Sequence, residues 1–219
     1  MLIAGVDEAG RGPCFGPMAI TIVVTEKGIE KKLKLMGVKD SKRLLPSKRK
    51  SLTESIKNHL VEEKTRLIWP LELNDLMARY SLNEIEAQMI AQLINGLENE
   101  PKIVYVDSPD VAKGAFEKRI RKYLNEKNQK IEIIAENKAD SNYLIVSAAS
   151  IIAKVARDKE IEELAKRFGD FGSGYPSDPK TKKYLKEYVE KHKKLPPFSR
   201  IFWSNCKEAL NSIEQQKLL

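Results

Sequence analysis

Carboxylates stand at or just beyond the ends of three short apolar runs. Asp7 and Glu8 follow residues 2–6, Asp107 follows residues 103–106, and Asp140 comes shortly after residues 131–135. Each run is apolar and β-branched, the pattern of a buried strand. In open α/β sheets, ligands gather beyond the carboxyl ends of strands. Parallel neighbours would therefore bring these acids together. Converging carboxylates repel, and a proton or a cation must compensate. Oxygen donors without histidine or cysteine among them favour magnesium or manganese. Two such ions about 4 Å apart can activate a water and stabilise the leaving oxygen of a phosphodiester. An acid after a strand also serves as a turn former or helix cap, and Asp140 before Ser141 fits that role too. The adjacent pair Asp7-Glu8 is harder to explain as a turn.

Other residue types narrow the chemistry by exclusion. The chain has two cysteines, Cys14 and Cys206, in no CxxC spacing, and two distant histidines, His59 and His192. The two cysteines cannot build a four-ligand zinc site on their own, and two histidines so far apart argue against histidine-based metal or triad chemistry. Cys14 reads as a small buried hydrophobe. The loop Gly10-Arg11-Gly12-Pro13 follows the acid pair. Its glycines let backbone N–H groups approach a ligand closely, and Arg11 can meet a phosphate. It lacks the ending of a Walker loop and the spacing of a dinucleotide fingerprint. A net charge of +8 favours a polyanionic partner. No apolar stretch approaches the ~18 residues of a membrane span. The expectation is a cytoplasmic monomer without membrane contact.

The elements that must position these groups follow from periodicity. Strands are expected at 2–6, 18–24, 64–69, 103–106 and 131–135. Helical spacing covers residues 46–61, with Leu52, Ile56 and Leu60 on one face. Ser81 and Glu84 form a capping box for the next helix. Further helices are expected at 111–124, from Asp140-Ser141 towards Gly169, from Asp178-Pro179 to His192, and from Asn205 onward. At 219 residues with 42% hydrophobic content, the chain can bury one large core. Residues 1–168 read as an α/β catalytic domain and 169–219 as a helical region packed on it.

Taken in order, several stretches resemble the ribonuclease HII family, the type 2 ribonucleases H, most of all its archaeal members. They are Asp7-Glu8-Ala9-Gly10-Arg11-Gly12-Pro13, Asp40-Ser41-Lys42, Val106-Asp107, Ala139-Asp140, residues 147–155, and Gly172-Ser173-Gly174-Tyr175-Pro176-Ser177-Asp178. The resemblance implies a ribonuclease H-like fold: a mixed five-stranded sheet flanked by helices, with a small helical C-terminal region. It implies a magnesium- or manganese-dependent endoribonuclease that hydrolyses the RNA strand of RNA–DNA hybrids. Incision 5′ of ribonucleotides embedded in duplex DNA is implied as well. By motif position, Asp7, Glu8, Asp107 and Asp140 are the metal-binding acids. Gly10, Arg11 and Gly12 form the loop that senses the ribose 2′-hydroxyl, and Tyr175 packs on the next deoxyribose. Lys42 and Lys154 are candidate phosphate contacts. The tail Gln215-Gln216-Lys217-Leu218-Leu219 carries part of a sliding-clamp docking pattern without its paired aromatic end.

Overall fold

The computed structural model describes residues 1–38 and 44–217. Lys42, with Asp40 and Ser41, therefore lies outside the described residues, as do Leu218 and Leu219. Five strands form one sheet: β1 (Leu2–Ala9), β2 (Met18–Glu26), β3 (Glu62–Ile68), β4 (Ile103–Asp107) and β5 (Glu132–Glu136). Their order is β3-β2-β1-β4-β5. The β1 strand runs antiparallel to β2 and parallel to β4, and β4 runs parallel to β5. The sheet is thus mixed, as the family resemblance implies. The central strands carry near-continuous buried runs, Ile3 to Asp7 on β1 and Met18 to Thr25 on β2, as strands covered on both faces must.

The first strand is longer than its apolar run. It continues through Asp7 and Glu8, because the antiparallel ladder with β2 holds as far as Ala9↔Ala19. The parallel ladder with β4 closes earlier, at Val6↔Val106. Asp7 and Asp107 each stand one residue past that last pair, where two neighbouring strands have stopped pairing.

Helices α1 (Glu30–Met36), α2 (Pro46–Lys57), α3 (Pro70–Met77), α4 (Leu82–Asn95), α5 (Ala115–Arg121), α6 (Ala139–Asn142), α7 (Leu144–Phe168), α8 (Pro179–His192) and α9 (Ser204–Lys217), with a short 3-10 turn at Glu126–Asn128, complete the described residues. Half of the expected capping box forms. Ser81 Oγ accepts the Glu84 amide at 3.3 Å. The Glu84 carboxylate, however, takes Arg119 at 2.6 Å and the Tyr123 hydroxyl at 2.6 Å, which ties α4 to α5. The α5 helix is shorter than expected because Gly114 precedes it in the left-handed region.

Packing groups the chain into two compact units. One comprises Met1–Ala9, Ala19–Arg66 and Ser81–Ala156; the other comprises Gly10–Met18, Leu67–Tyr80 and Arg157–Leu219. The first is centred on residues such as Val23, Ile56, Val146 and Ile152. The second holds Phe15, Phe171, Leu185 and Phe198. Residues 10–18 belong to this second unit because their backbone is bonded into it. Cys14 N donates to Gly174 O at 2.8 Å, Gly16 N to Phe198 O at 3.0 Å, and Arg200 N to Cys14 O at 2.8 Å. Residues 67–80 join through Asn74, whose side chain donates to Ser199 O and accepts from Ile201 N.

Glu62 ties the start of β3 to the turn after α4. Its carboxylate accepts the amides of Glu98 (3.1 Å) and Asn99 (2.8 Å) and pairs with Lys64 at 3.0 Å. Burial pushes this carboxyl up, but the Asn99 and Glu98 amides, with the Lys64 and Asn99 side chains, outweigh it and hold it at about 2. A carboxyl depressed in the folded state stabilises fully above its unfolded pKa of ~4.3. That stabilisation is lost as pH falls towards 2. Urea midpoints measured from pH 5 to pH 2 should fall less steeply in Glu62→Gln than in the parent, since an amide does not titrate.

Candidate active site

Asp7 is buried, 6% exposed, while Glu8, Asp107 and Asp140 are partly exposed. The Asp7 Oδ1 atom accepts the Glu8 amide at 2.7 Å. Burial pushes the Asp7 carboxyl well above the usual range, and the charges of Glu8 and Asp107 push it the same way. A hydrogen bond from Ser150 and the Glu8 amide oppose this and are outweighed. Asp107 Oδ1 accepts Ala139 N at 2.7 Å, so this strand-end acid holds the first residue of the helix that carries Asp140. Ser147 Oγ then donates to the Asp140 carbonyl. The structure thus links Asp7 to Glu8 and Asp107 through their charges and ties the helix that carries Asp140 to Asp107 through backbone.

Among the described residues, no three carboxylate, imidazole or thiol groups close into a ready-made cation cage. Magnesium does not need one. It keeps several waters and binds through one or two carboxylates plus substrate oxygens. A buried carboxylate pressed by two like charges calls for a cation, and the donors here are all hard oxygens. The residues fit a divalent ion whose shell is completed by waters and substrate oxygens.

One polar stripe crosses the otherwise apolar start of α7. Lys154 Nζ donates to Ser150 Oγ at 2.6 Å, and Ser150 in turn bonds the Asp7 carboxyl. Lys154, expected as a phosphate contact, is therefore relayed to the first acid. Sequence reasoning misses Ser150. The signal it carries is the spacing Ser147, Ser150, Lys154, polar positions on one helical face of a buried helix. The helix lies against β1 at Gly5, where an added Cβ would meet Ile145 C and O at 2.6 Å and Val146 N at 2.8 Å. Only glycine admits that approach.

The second unit assembles the glycine loop. Gly10 adopts φ 84°, and a Cβ there would fall 2.3 Å from the Arg157 side chain. Gly12 faces the Tyr175 ring, 3.4 Å from where its Cβ would sit to Cε1. Tyr175 is 42% exposed. Arg200, fully buried, grips the loop by its carbonyls: Nη1 donates to Gly10 O at 2.7 Å and to Arg11 O at 3.4 Å, and Nε to Gly16 O at 3.0 Å. Burial, then the like charge of Arg157, lowers the Arg200 guanidinium to about 9. Arg157 reaches Phe15 O and Ser173 O and stands 5.8 Å from the Tyr175 ring centroid. Gly10, Arg11, Gly12 and Tyr175 are thus brought together, with two buried arginines that sequence reasoning does not assign. In sequence, a single Arg157 in a charged helix is indistinguishable from a solvated face.

A mixed sheet with acids on two adjacent parallel strands and at a helix entry defines a ribonuclease H-like nuclease. The family model for ribonuclease HII matches residues 4–206. The ribonuclease HII of Pyrococcus furiosus is 47% identical over 218 residues, 99% of this chain and 95% of the relative. The crystal structure of the ribonuclease H2 from Pyrococcus horikoshii is similar with a TM-score of 0.90 and 43% identity, covering 98% of this chain and 100% of that one. The ribonuclease HII in a PCNA complex from Archaeoglobus fulgidus is similar at 0.83 and 39%, covering 94% and 96%. The chain belongs to the ribonuclease HII family. Its activity is that of an endoribonuclease acting on the RNA strand of RNA–DNA hybrids.

Proposed function

We propose that this chain also incises duplex DNA on the 5′ side of embedded ribonucleotides, leaving 3′-hydroxyl and 5′-phosphate ends. The observation that carries the site assignment is the buried Asp7 carboxyl held against the charges of Glu8 and Asp107. Asp7, Glu8, Asp107 and Asp140 are the residues that would hold magnesium or manganese. When bound, the ion supplies an activated water and charge for the leaving oxygen. The chain's own part is to aim the acids. Ser150 and Lys154 steady Asp7, and Asp107 fixes the entry of α6. Lys42 and Lys154 meet substrate phosphates.

Gly10, Arg11 and Gly12 read the 2′-hydroxyl, the one local group that separates RNA from DNA. A hydroxyl that donates and accepts suits the backbone of a loop shaped by Arg200 from behind. Tyr175, beside Gly12, packs on the following deoxyribose and leaves no room for a second hydroxyl. A sliding clamp is the protein partner of this reading, through residues 215–219, and co-elution of clamp and chain checks it.

The test is a magnesium assay on duplex DNA with one ribonucleotide, the product ends mapped, beside the same duplex without it. Cutting of the all-DNA duplex would sink the reading in favour of a resolvase-type nuclease. In the same assay Tyr175→Ala should reduce the preference for the RNA-to-DNA junction by about 10-fold, the size of one aromatic contact. Being half-exposed, it should shift the Tm by less than about 2 °C. An unchanged preference would remove Tyr175 from the substrate site.

A further inference from the structure

Cys14 and Cys206 are the chain's two cysteines, 192 positions apart in sequence by subtraction of their numbers. Both are free, fully buried and members of one apolar cluster with Phe171 and Phe198. Their thiols hydrogen-bond to each other. Cys14 is held firmly for that meeting. Its Sγ donates to Gly174 O at 3.3 Å, its N–H to the same carbonyl at 2.8 Å, and its carbonyl accepts Arg200 N at 2.8 Å. Cys206 sits in the first turn of α9.

We propose that Cys14 and Cys206 form an oxidative cross-link site, closing to a disulfide when the chain meets a peroxide or a small-molecule disulfide. The two thiols are not equivalent. The Cys206 hydrogen bond, helped by the nearby Arg200 charge, lowers the Cys14 thiol despite its burial, while Cys206 is pushed up. Cys14 is therefore the thiol that gives up its proton more readily and attacks first. With hydrogen peroxide, Cys14 Sγ attacks one oxygen and the O–O bond breaks. This leaves a sulfenic acid on Cys14 and a hydroxide that becomes water. Cys206 Sγ then attacks Cys14 Sγ, the S–O bond breaks, and a second water leaves with the remaining proton. Two thiols and one peroxide give one disulfide and two waters.

The cross-link would fasten the segment 10–18 to α9 inside one compact unit. Constraining so long a loop of the unfolded chain stabilises the folded one.

The experiment uses the full chain in two arms. In one, the reduced folded protein is treated with hydrogen peroxide. In the other, the protein is refolded from denaturant in a glutathione redox buffer, which gives both thiols access to oxidant. Each sample is then denatured, alkylated and mapped by mass spectrometry. Untreated protein should take two alkyl groups, and cross-linked protein none, with a single peptide pair joining Cys14 to Cys206. The Tm should rise by about 5–10 °C and return on adding dithiothreitol. Cys206→Ala should keep the reduced protein's cleavage rate and lose the rise. Two alkylatable thiols in both arms, or over-oxidised Cys14 beside a free Cys206, would overturn the proposal.

Discussion

Asp7→Asn should lower hybrid cleavage in magnesium by about 10³-fold or more, equivalent to ~4 kcal/mol of lost transition-state stabilisation. The amide keeps the shape of the side chain and its bond to the Glu8 amide, yet gives up the charge that a cation needs. The same substitution should raise the Tm of the metal-free protein by a few degrees. The sign follows from linkage. The Asp7 carboxyl is raised in the folded state by burial, Glu8 and Asp107, so the folded protein loses stability as pH climbs through that raised pKa. A neutral residue removes the cost. Opposite movements of rate and Tm are the expected result, read by hybrid cleavage and by melting in EDTA. Full activity in magnesium would remove Asp7 from the metal set. A large fall in Tm would mean that the carboxylate is structural.

Gly5→Ala should be the most damaging methyl that can be added to the sheet. Its Cβ would lie 2.6–2.8 Å from backbone atoms of Ile145 and Val146. Backbone at the start of a helix cannot rotate aside as a flexible side chain can. The first turn of α7 must retreat, and the small residues Ala148 and Ala149 that follow, both fully buried, lose their seat. Overpacking of this kind costs about 3 kcal/mol or somewhat more. For a chain of this size the loss corresponds to a fall of ~6–12 °C in Tm. Below that temperature cleavage should still fall, because Ser150 and Lys154 ride on the displaced helix. A Tm within about 2 °C of the parent would show that the helix has room that the structure denies.

The sheet is the most legible part of the sequence. Strands β1, β2 and β4 are apolar and rich in β-branched residues, the polar β3 shows mainly by alternation, and Asp107 is the last residue of β4 as its position after an apolar run implies. The end of β1 is less legible. Asp7 and Glu8 look like terminators, but the partner strand β2 is apolar enough to carry the ladder past them. The α1 helix goes unread because its seven residues bury only Leu33, too little for a periodic signal. The α3 helix starts at Pro70 without a side-chain cap. The long helix expected from Asp140 is two. Tyr143 is extended between α6 and α7, and its ring stacks on Tyr105 of β4 at 4.3 Å. That break is imposed by a partner 38 positions away by residue number, and neither proline nor glycine marks it. The candidate site divides in the same way. Strand-end acids announce themselves locally. The arginines that shape the glycine loop do not, because their acceptors lie 142 and 190 residues away.

Arg200 takes hold of Gly10 and Gly16 by their carbonyls, groups that every residue possesses. A ribosome makes the loop long before the arginine that holds it. Gly10 waits 190 residues for its partner. The loop therefore takes its shape only after the growing chain has passed residue 200, and its own residues cannot set that shape beforehand.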